Sequence, residues 1–257
     1  MWSYSRTTCF DHCKYEYYLG YVVHDDELYL SEWNFYAEVG SFVHEILAKI
    51  ITGELNSEDS LDYYLDHFDE YVLYKTYPGA MNKTYESIAD YFSNLDLSWL
   101  NRYEVVGVEK RIRFKIGRSE FVGILDLLLR DKEDGRLVLM DHKSMPYPFK
   151  TDGGIKKNCE KSFSSYKRQM YLYCKAIYDT YGEFPKALSW NHFEDGGKIA
   201  TIPFSESEYQ ESIDWFQNSV KRIKKEKDFE PSQDYFYCSN LCNFRNSCEY
   251  QKMGSGT

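Results

Sequence analysis

Two carboxylates and an amine stand where apolar segments of the sequence would leave a folded core. Asp126 interrupts the apolar run "SEFVGILDLLL" (119–129), and "GRLVLMDHK" (135–143) passes from apolar residues directly to Asp141 and Lys143. Since residues two apart in a strand point to the same side, Asp141 and Lys143 would emerge together. Burying an unpaired carboxylate is costly, and coordination of a hard divalent cation offsets that cost.

These three groups suit metal-assisted cleavage of a phosphodiester. The two carboxylates would hold Mg²⁺ or Mn²⁺, which polarises the phosphate and lowers the pKa of a bound water. The ammonium of Lys143 would steady the attacking hydroxide or the charge that develops on the phosphate. A structural alternative stays open, in which Asp126 and Lys143 form a buried ion pair and the predicted strand 135–143 ends in a solvated turn.

Three further candidates lie on predicted helices. His44 is part of "NFYAEVGSFVHEILAKII" (34–51), whose apolar residues recur with the period of a helix. Gln169 and Tyr173 are four residues apart in "RQMYLYCKAI", so they share one helix face. Taken alone, such a histidine is more often structural, and the glutamine and tyrosine would form an ordinary surface pair.

The cysteines indicate a second site. The chain has seven cysteines, an odd number that argues against a framework of disulfides. "YCSNLCNFRNSC" brings Cys238, Cys242 and Cys248 close together near the carboxyl end, which points to a metal. Cys159 and Cys174 have no partner in the sequence and are interpreted as plain thiols.

Apolar periodicity predicts the elements that must position these groups. Predicted helices cover 1–20, 34–51, 58–75, 83–100, 161–182 and 206–228, and predicted strands cover 103–116, 119–129, 135–143, 187–193 and 198–204. "YPGAMN" (77–82) is interpreted as a turn, and the tail from 229 as irregular. This order predicts one α/β domain over residues 1–257, with a helical insertion at 52–102.

Together these segments resemble the PD-(D/E)XK nuclease superfamily, and more closely its RecB-like branch. The match rests on "VGSFVHEIL", "GILD", "DHK" and "RQMYLYCKAI" in that order, and on the opening "SYSRTTCFDHCKYEYYLGY". The residues at the motif positions are His44, Asp126, Asp141, Lys143, Gln169 and Tyr173. The opening departs from the branch because Lys14 stands where proline is usual, and residues 52–102 lie outside the resemblance.

The resemblance implies a restriction-endonuclease-like core, in which helices flank a central mixed sheet, and a metal-dependent DNA exonuclease. Mg²⁺ or Mn²⁺ would be held by His44, Asp126, Asp141 and the backbone carbonyl of His142.

Within that implied site, Lys143 would orient the nucleophilic water. Gln169 and Tyr173 would support Lys143 and the DNA backbone. Glu109 is a further candidate acid, although a surface glutamate paired with a neighbouring base is the more frequent arrangement.

Some RecB-like nucleases carry an iron–sulfur cluster held by one amino-terminal cysteine and three near the carboxyl end. This resemblance implies a 4Fe-4S cluster that staples the 229–250 region to the start of the chain. Its ligands would be Cys13, Cys238, Cys242 and Cys248. Zinc and unmetallated cysteines remain alternatives, Cys9 is a substitute ligand, and the first gap has three residues where two are usual.

Composition restricts the partners. A net charge of −10 argues against binding of polyanions by the whole surface. The lysines of "GGIKKNCEK" (153–161) and "SYKRQ" (165–169) could still line a local groove and contact DNA phosphates. No apolar run approaches the roughly 20 residues that span a bilayer, and the opening "MWSYSRTTCF" lacks the layout of a signal peptide. We therefore expect no membrane contact and a cytoplasmic location.

The expected substrate is DNA that is single-stranded or has free ends, in recombination, repair or phage DNA processing. Because the sequence has no helicase motifs, a helicase or recombination partner would be a separate protein. Two alternatives are a catalytically silent nuclease-fold scaffold that binds DNA and is held by a metal cluster, and a zinc-bound regulatory protein. The full set of expected catalytic residues favours the enzyme.

Overall fold

A five-stranded mixed sheet forms the centre of the computed structural model, which describes residues 1–23 and 34–250. The strands follow one another across the sheet in chain order. They are β1 (Tyr103–Ile116), β2 (Ser119–Asp131), β3 (Leu137–Lys143), β4 (Ala187–His192) and β5 (Lys198–Pro203). Strands β3 and β4 are parallel, because a long helix carries the chain back between them, and the other neighbours are antiparallel.

Helices flank this sheet and confirm the predicted α/β class. They are α1 (Tyr4–His12), α2 (Lys14–Tyr18), α3 (Phe35–Thr52), α4 (Ser60–Tyr71), α5 (Pro78–Ser93), α6 (Glu160–Tyr181), α7 (Glu206–Lys225) and α8 (Tyr235–Asn240). Short turns of 3-10 helix occupy Ser57–Asp59, Ser98–Arg102 and Phe193–Asp195, and a turn of π-helix occupies Leu19–Val23. Within 1–23 and 34–250, none of the helices has the length and apolar character that crossing a bilayer requires.

Two sequence-based boundaries are wrong. Helix α5 begins at Pro78, so the segment 77–82 interpreted as a turn belongs largely to the helix predicted for 83–100. Proline suits the first helical position because its φ is already helical and its missing N–H would have no partner there. The same helix ends at Ser93, and Ser98–Arg102 forms a separate turn.

The tail from 229 is also more regular than predicted. It contains α8, whose first turn is capped by the side chain of Asp234, an acceptor for the N–H of Tyr237 at 3.0 Å. Such a cap satisfies an N–H that the helix leaves free, which lets a short helix form in an otherwise irregular segment.

Three of the five hydrophobic cores in the described residues hold the sheet, its flanking helices and the 52–102 segment together. One lies between the sheet and helices α6 and α7, and it includes Phe121, Leu125, Leu128, Phe163, Trp190 and Phe216. The opposite face of the sheet buries Leu127, Leu129, Val138 and Met140. The predicted insertion packs on α3 in a third core, which includes Phe42, Val43, Tyr64, Ile88 and Tyr91.

The distribution of leucines along β2 shows that its side chains do not alternate regularly between the two faces of the sheet. Leu125 and Leu128 face the same core, while Leu127 and Leu129 face the other one. A regular strand alternates sides at every residue, so the alternation slips by one residue between Leu125 and Leu128. Asp126 lies at that slip.

Candidate active site

The slip in β2 has a counterpart in β1. Val108 pairs with Leu127 and Lys110 with Leu125, which leaves Glu109 opposite Asp126 without a regular pairing. Glu109 has a φ of 44°, and it is the single non-glycine residue with a positive φ among the described residues. A left-handed backbone is strained for a residue with a Cβ, and such strain is concentrated at functional sites. The irregularity brings two acidic side chains to one point of the sheet.

His44 on α3 meets both acids. Its Nδ1 is 3.5 Å from Oε1 of Glu109 and 3.5 Å from Oδ2 of Asp126. One ligand atom from each of the three side chains lies within 4.8 Å of the others, and no other group of three such side chains is this compact in the described residues. Ligands bound to Mg²⁺ at about 2.1 Å stand roughly 3 Å apart, so this trio needs little adjustment to surround a cation.

The main chain of His142 connects the same residues. Its N–H donates a hydrogen bond to Oδ2 of Asp126 at 2.9 Å, and its carbonyl oxygen is 3.0 Å from Nε2 of His44. When Nε2 of His44 carries the proton and donates to this carbonyl, Nδ1 keeps a lone pair towards the two acids. Burial alone would lower the pKa of His44, but the charge of Asp126 and a hydrogen bond with Glu109 outweigh it, so this pKa is raised.

Asp141 and Lys143 form a buried ion pair next to this group. Lys143 Nζ is 2.7 Å from Oδ2 of Asp141, yet that oxygen has no well-aligned hydrogen-bond donor. Burial raises the pKa of Asp141 although Lys143 opposes the shift. Burial alone would lower the pKa of Lys143, but the charges of Asp141 and Asp126 outweigh it and raise that pKa. Lys143 is therefore an ammonium ion at neutral pH.

Gln169 and Tyr173 are in contact on α6, as their spacing predicts. Nε2 of Gln169 donates to the hydroxyl of Tyr173 at 3.0 Å. The Tyr173 ring lies directly on β2, where a Cβ added to Gly123 would be 2.5 Å from Cε1 of the ring. Burial raises the pKa of Tyr173 to about 12. The tyrosine is thus a buried residue packed against β2, not a member of a surface pair.

The structure brings most of the predicted residues together, with one difference. His44, Asp126 and the main chain of His142 converge, whereas Asp141 lies beside them in its pair with Lys143 and outside the compact trio. Glu109 takes the third place in that trio, although its sequence context favoured a surface role. An irregular β1 would have been the signal for it, and nothing in the alternation of "YEVVGVEKRIRFKI" marks that irregularity.

The cysteines border a cavity that is separate from this site. Cys13, Cys238, Cys242 and Cys248 all line this cavity of about 600 Å³. Main-chain N–H groups of Glu16 and Ser232 donate to Cys13 Sγ at 3.4 and 3.3 Å. The N–H of Phe244 donates to Cys242 Sγ at 3.4 Å. Burial raises the pKa of Cys242 and of Cys238, so neither thiol ionises readily by itself.

A buried carboxylate joins the two ends of the chain beside this cavity. Glu16, on α2, accepts hydrogen bonds from the Tyr237 hydroxyl at 2.5 Å and from the N–H of Asn243 at 3.0 Å. Both donors belong to the carboxyl-terminal segment, which therefore docks on α2 through protein contacts.

Comparisons with known proteins identify the family of the chain. The family model for the PD-(D/E)XK nuclease superfamily matches residues 1–249. A solved structure from Eubacterium rectale, named as a candidate exonuclease, has a TM-score of 0.51 and 15% sequence identity. The alignment covers 98% of this chain and 86% of that one, and at this identity it supports the fold alone. No curated protein matches. The chain belongs to the PD-(D/E)XK nuclease superfamily, with the restriction-endonuclease-like core that its sequence predicts.

Proposed function

We propose that the protein is a divalent-metal-dependent exonuclease that hydrolyses phosphodiester bonds of DNA. The nuclease assignment follows from the family. The observation that carries the rest is the convergence of His44, Glu109 and Asp126 beside the buried pair of Asp141 and Lys143.

The residues fit a hard divalent cation. Nucleases of this superfamily typically use Mg²⁺ or Mn²⁺, and an imidazole among carboxylate and carbonyl oxygens suits both ions. We assign the binding to His44, Asp126, Asp141 and the carbonyl of His142, and we add Glu109 on the strength of its position. A bound ion of this kind polarises the phosphate and lowers the pKa of a water molecule.

The side chains of the protein then act on the nucleophile and the phosphate. Lys143 remains charged in its buried pair, so its ammonium can orient the attacking water and offset charge that develops on the phosphate. Gln169 and Tyr173, held against β2 at Gly123, support Lys143 and the DNA backbone.

Lysines near this site are the proposed contacts for the DNA backbone. They are the lysines of 156–168, among which the exposed Lys157 lies between β3 and α6 and the exposed Lys161 lies in the first turn of α6. Phosphate contacts of this type make binding sensitive to salt. We propose DNA with free ends or single strands as the substrate, in recombination, repair or phage DNA processing, with any helicase supplied by a separate cytoplasmic partner.

We also infer that the four cysteines bind a 4Fe-4S cluster. Zinc–sulfur bonds of about 2.3 Å would hold four sulfurs roughly 3.8 Å apart. Among groups of three or more ligand side chains in the described part of the chain, the His44 trio has its ligand atoms within 4.8 Å of one another, and no set of three cysteines does. A cavity of about 600 Å³ and N–H groups directed at two of the sulfurs suit a larger group.

Degradation of linear and circular DNA, followed on gels, tests the catalytic proposal. Linear and circular DNA are incubated with Mg²⁺ or Mn²⁺ and with wild type, Lys143→Ala or Lys221→Ala, a control at an exposed position of α7. We expect the wild type and Lys221→Ala to degrade the linear DNA and leave the circular DNA intact. Lys143→Ala should degrade neither substrate. Cleavage by Lys143→Ala at the control rate would refute the role of the lysine. No cleavage by the wild type with either ion would favour the silent scaffold.

A further inference from the structure

The imidazole of His142 is held by Asn191, and Asn191 is held in turn by Tyr91; both residues lie outside every motif of the sequence. Nδ2 of Asn191 is 3.1 Å from Nδ1 of His142 and 3.0 Å from the hydroxyl of Tyr91. All three side chains are buried. Asn191 pairs with His142 across β3 and β4, whereas Tyr91 comes from α5 in the helical insertion.

The direction of these hydrogen bonds follows from the chemistry of the amide. An amide nitrogen only donates, so Nδ1 of His142 accepts one hydrogen and the hydroxyl of Tyr91 accepts the other. His142 is then a neutral imidazole with its proton on Nε2.

The same histidine borders the metal site with its main chain. Its N–H is bound to Asp126 and its carbonyl to His44, so a rotation of the residue would move one side of the site. The hydrogen bond from Asn191 to the ring restricts such a rotation of His142. Tyr91 is in turn confined at Gly197, where an added Cβ would be 2.9 Å from Cε2 of the tyrosine ring.

We propose that Asn191 and Tyr91 are positioning residues that connect the helical insertion to the metal site through His142. The inference rests on the proposed metal-dependent function. The insertion thereby gains a role in the site beyond its own core. Groups that orient metal ligands from behind commonly change metal affinity about 10- to 100-fold when they are removed.

Calorimetric titration of the intact protein with Mn²⁺ tests this role. We expect Asn191→Leu to weaken binding about 10- to 100-fold, and Tyr91→Phe, one contact further away, by roughly 3- to 10-fold. Tyr64→Phe is the matched control, because it removes a buried hydroxyl in the same core that donates to the carbonyl of Tyr85 and has no contact with His142. Its Mn²⁺ affinity should equal that of the wild type.

A second measurement does not depend on metal. The ¹⁵N chemical shifts of the His142 ring in metal-free protein should show a protonated Nε2 and an accepting Nδ1, and Tyr91→Phe should alter them while Tyr64→Phe should not. Tyr91→Phe remains decisive if Asn191→Leu fails to fold. Equal affinities and equal shifts in Tyr91→Phe and Tyr64→Phe would overturn the inference and leave the proposed function standing. A wild type that binds no Mn²⁺ would overturn both, although the ring shifts could still be normal.

Discussion

The two candidate sites lie in regions that are organised in opposite ways. At the sheet, a strained Glu109, the main chain of His142 and helix α3 bring the ligand atoms within a few ångströms of one another. At the ends of the chain, cysteines border an open cavity of about 600 Å³, and burial keeps the pKa of Cys238 and Cys242 raised.

This difference indicates which site needs its ligand in order to form. The sheet supplies the geometry of the first site through backbone hydrogen bonds and buried packing, so that site should persist without metal. The sulfurs of the second site lie on short elements, and a bound cluster would contribute part of the folding free energy of that region. Removing metal should therefore abolish activity at the sheet and loosen structure around the cysteines.

The largest expected effect comes from the first site. Asp126→Asn removes a charge from the ligand group but keeps an oxygen that can accept the N–H of His142. We expect activity to fall at least roughly 10²- to 10³-fold, as for the loss of other preorganised catalytic groups, with little change in melting temperature. Rates on end-labelled DNA and thermal unfolding measure the two effects.

Asp66→Asn is the matched control for that prediction, because Asp66 is exposed on α4 in the insertion. It should leave both rate and stability unchanged. A strong loss of stability in Asp126→Asn would contradict the view that the sheet forms this site without help from the metal.

The second prediction concerns the cysteine site, where we expect a loss of local structure and no loss of metal binding at the sheet. Cys13→Ser should remove absorbance near 400 nm from anaerobically purified protein and expose residues 229–250 to proteolysis. Its Mn²⁺ affinity at the sheet should stay within about twofold of the wild-type value, because sites that share no contacts act independently. Cys159→Ser is the control, because that buried cysteine lies at the start of α6 away from the cavity. Zinc without iron in the wild type would show that the cysteines hold the competing metal.

Features that depend on neighbouring residues could be predicted from the sequence. The hairpin of β1 and β2, the strand β3 and the helix α6 follow from local periodicity, which is written in consecutive residues. Motif spacing predicts Asp141 and Lys143 at the end of the regular strand β3, and Asp126 within the apolar run of β2. Pro78 was misinterpreted because proline is compatible both with a turn and with the first turn of a helix.

The rest depends on contacts between distant segments. Glu109 enters the site through a local irregularity with a positive φ, in a pair of strands that keeps its register on both sides, and such an irregularity leaves no signature in either strand alone. Asn191 and Tyr91 are one hundred residues apart and meet only in the folded protein. No local pattern of residue types predicts such a contact.

A smaller effect is expected where α6 supports the first site. Gly123→Ala would place a methyl group 2.5 Å from the Tyr173 ring, so the ring and its bond to Gln169 must shift. We expect roughly tenfold lower activity, since misplacement by about an ångström costs up to about a hundredfold, with unchanged Mn²⁺ affinity. Gly79→Ala, on α5, is the control, because its added Cβ would make only ordinary contacts. A normal rate in Gly123→Ala would mean that the position of Tyr173 does not matter to catalysis.

The smallest effect separates protein contacts from cluster contacts at the second site. Glu16→Gln keeps the size of the side chain but removes the charge that accepts hydrogen bonds from Tyr237 and Asn243. Hydrogen bonds to a charged group contribute about 1.5–3 kcal/mol, so hydrogen exchange in 235–248 should quicken in cluster-free protein. In cluster-loaded protein the change should be smaller, because the cluster would hold the same segment. Equal changes in both forms would mean that the carboxylate and the cluster stabilise different parts of the region, and that the chain ends do not depend on the cluster in the way the comparison requires.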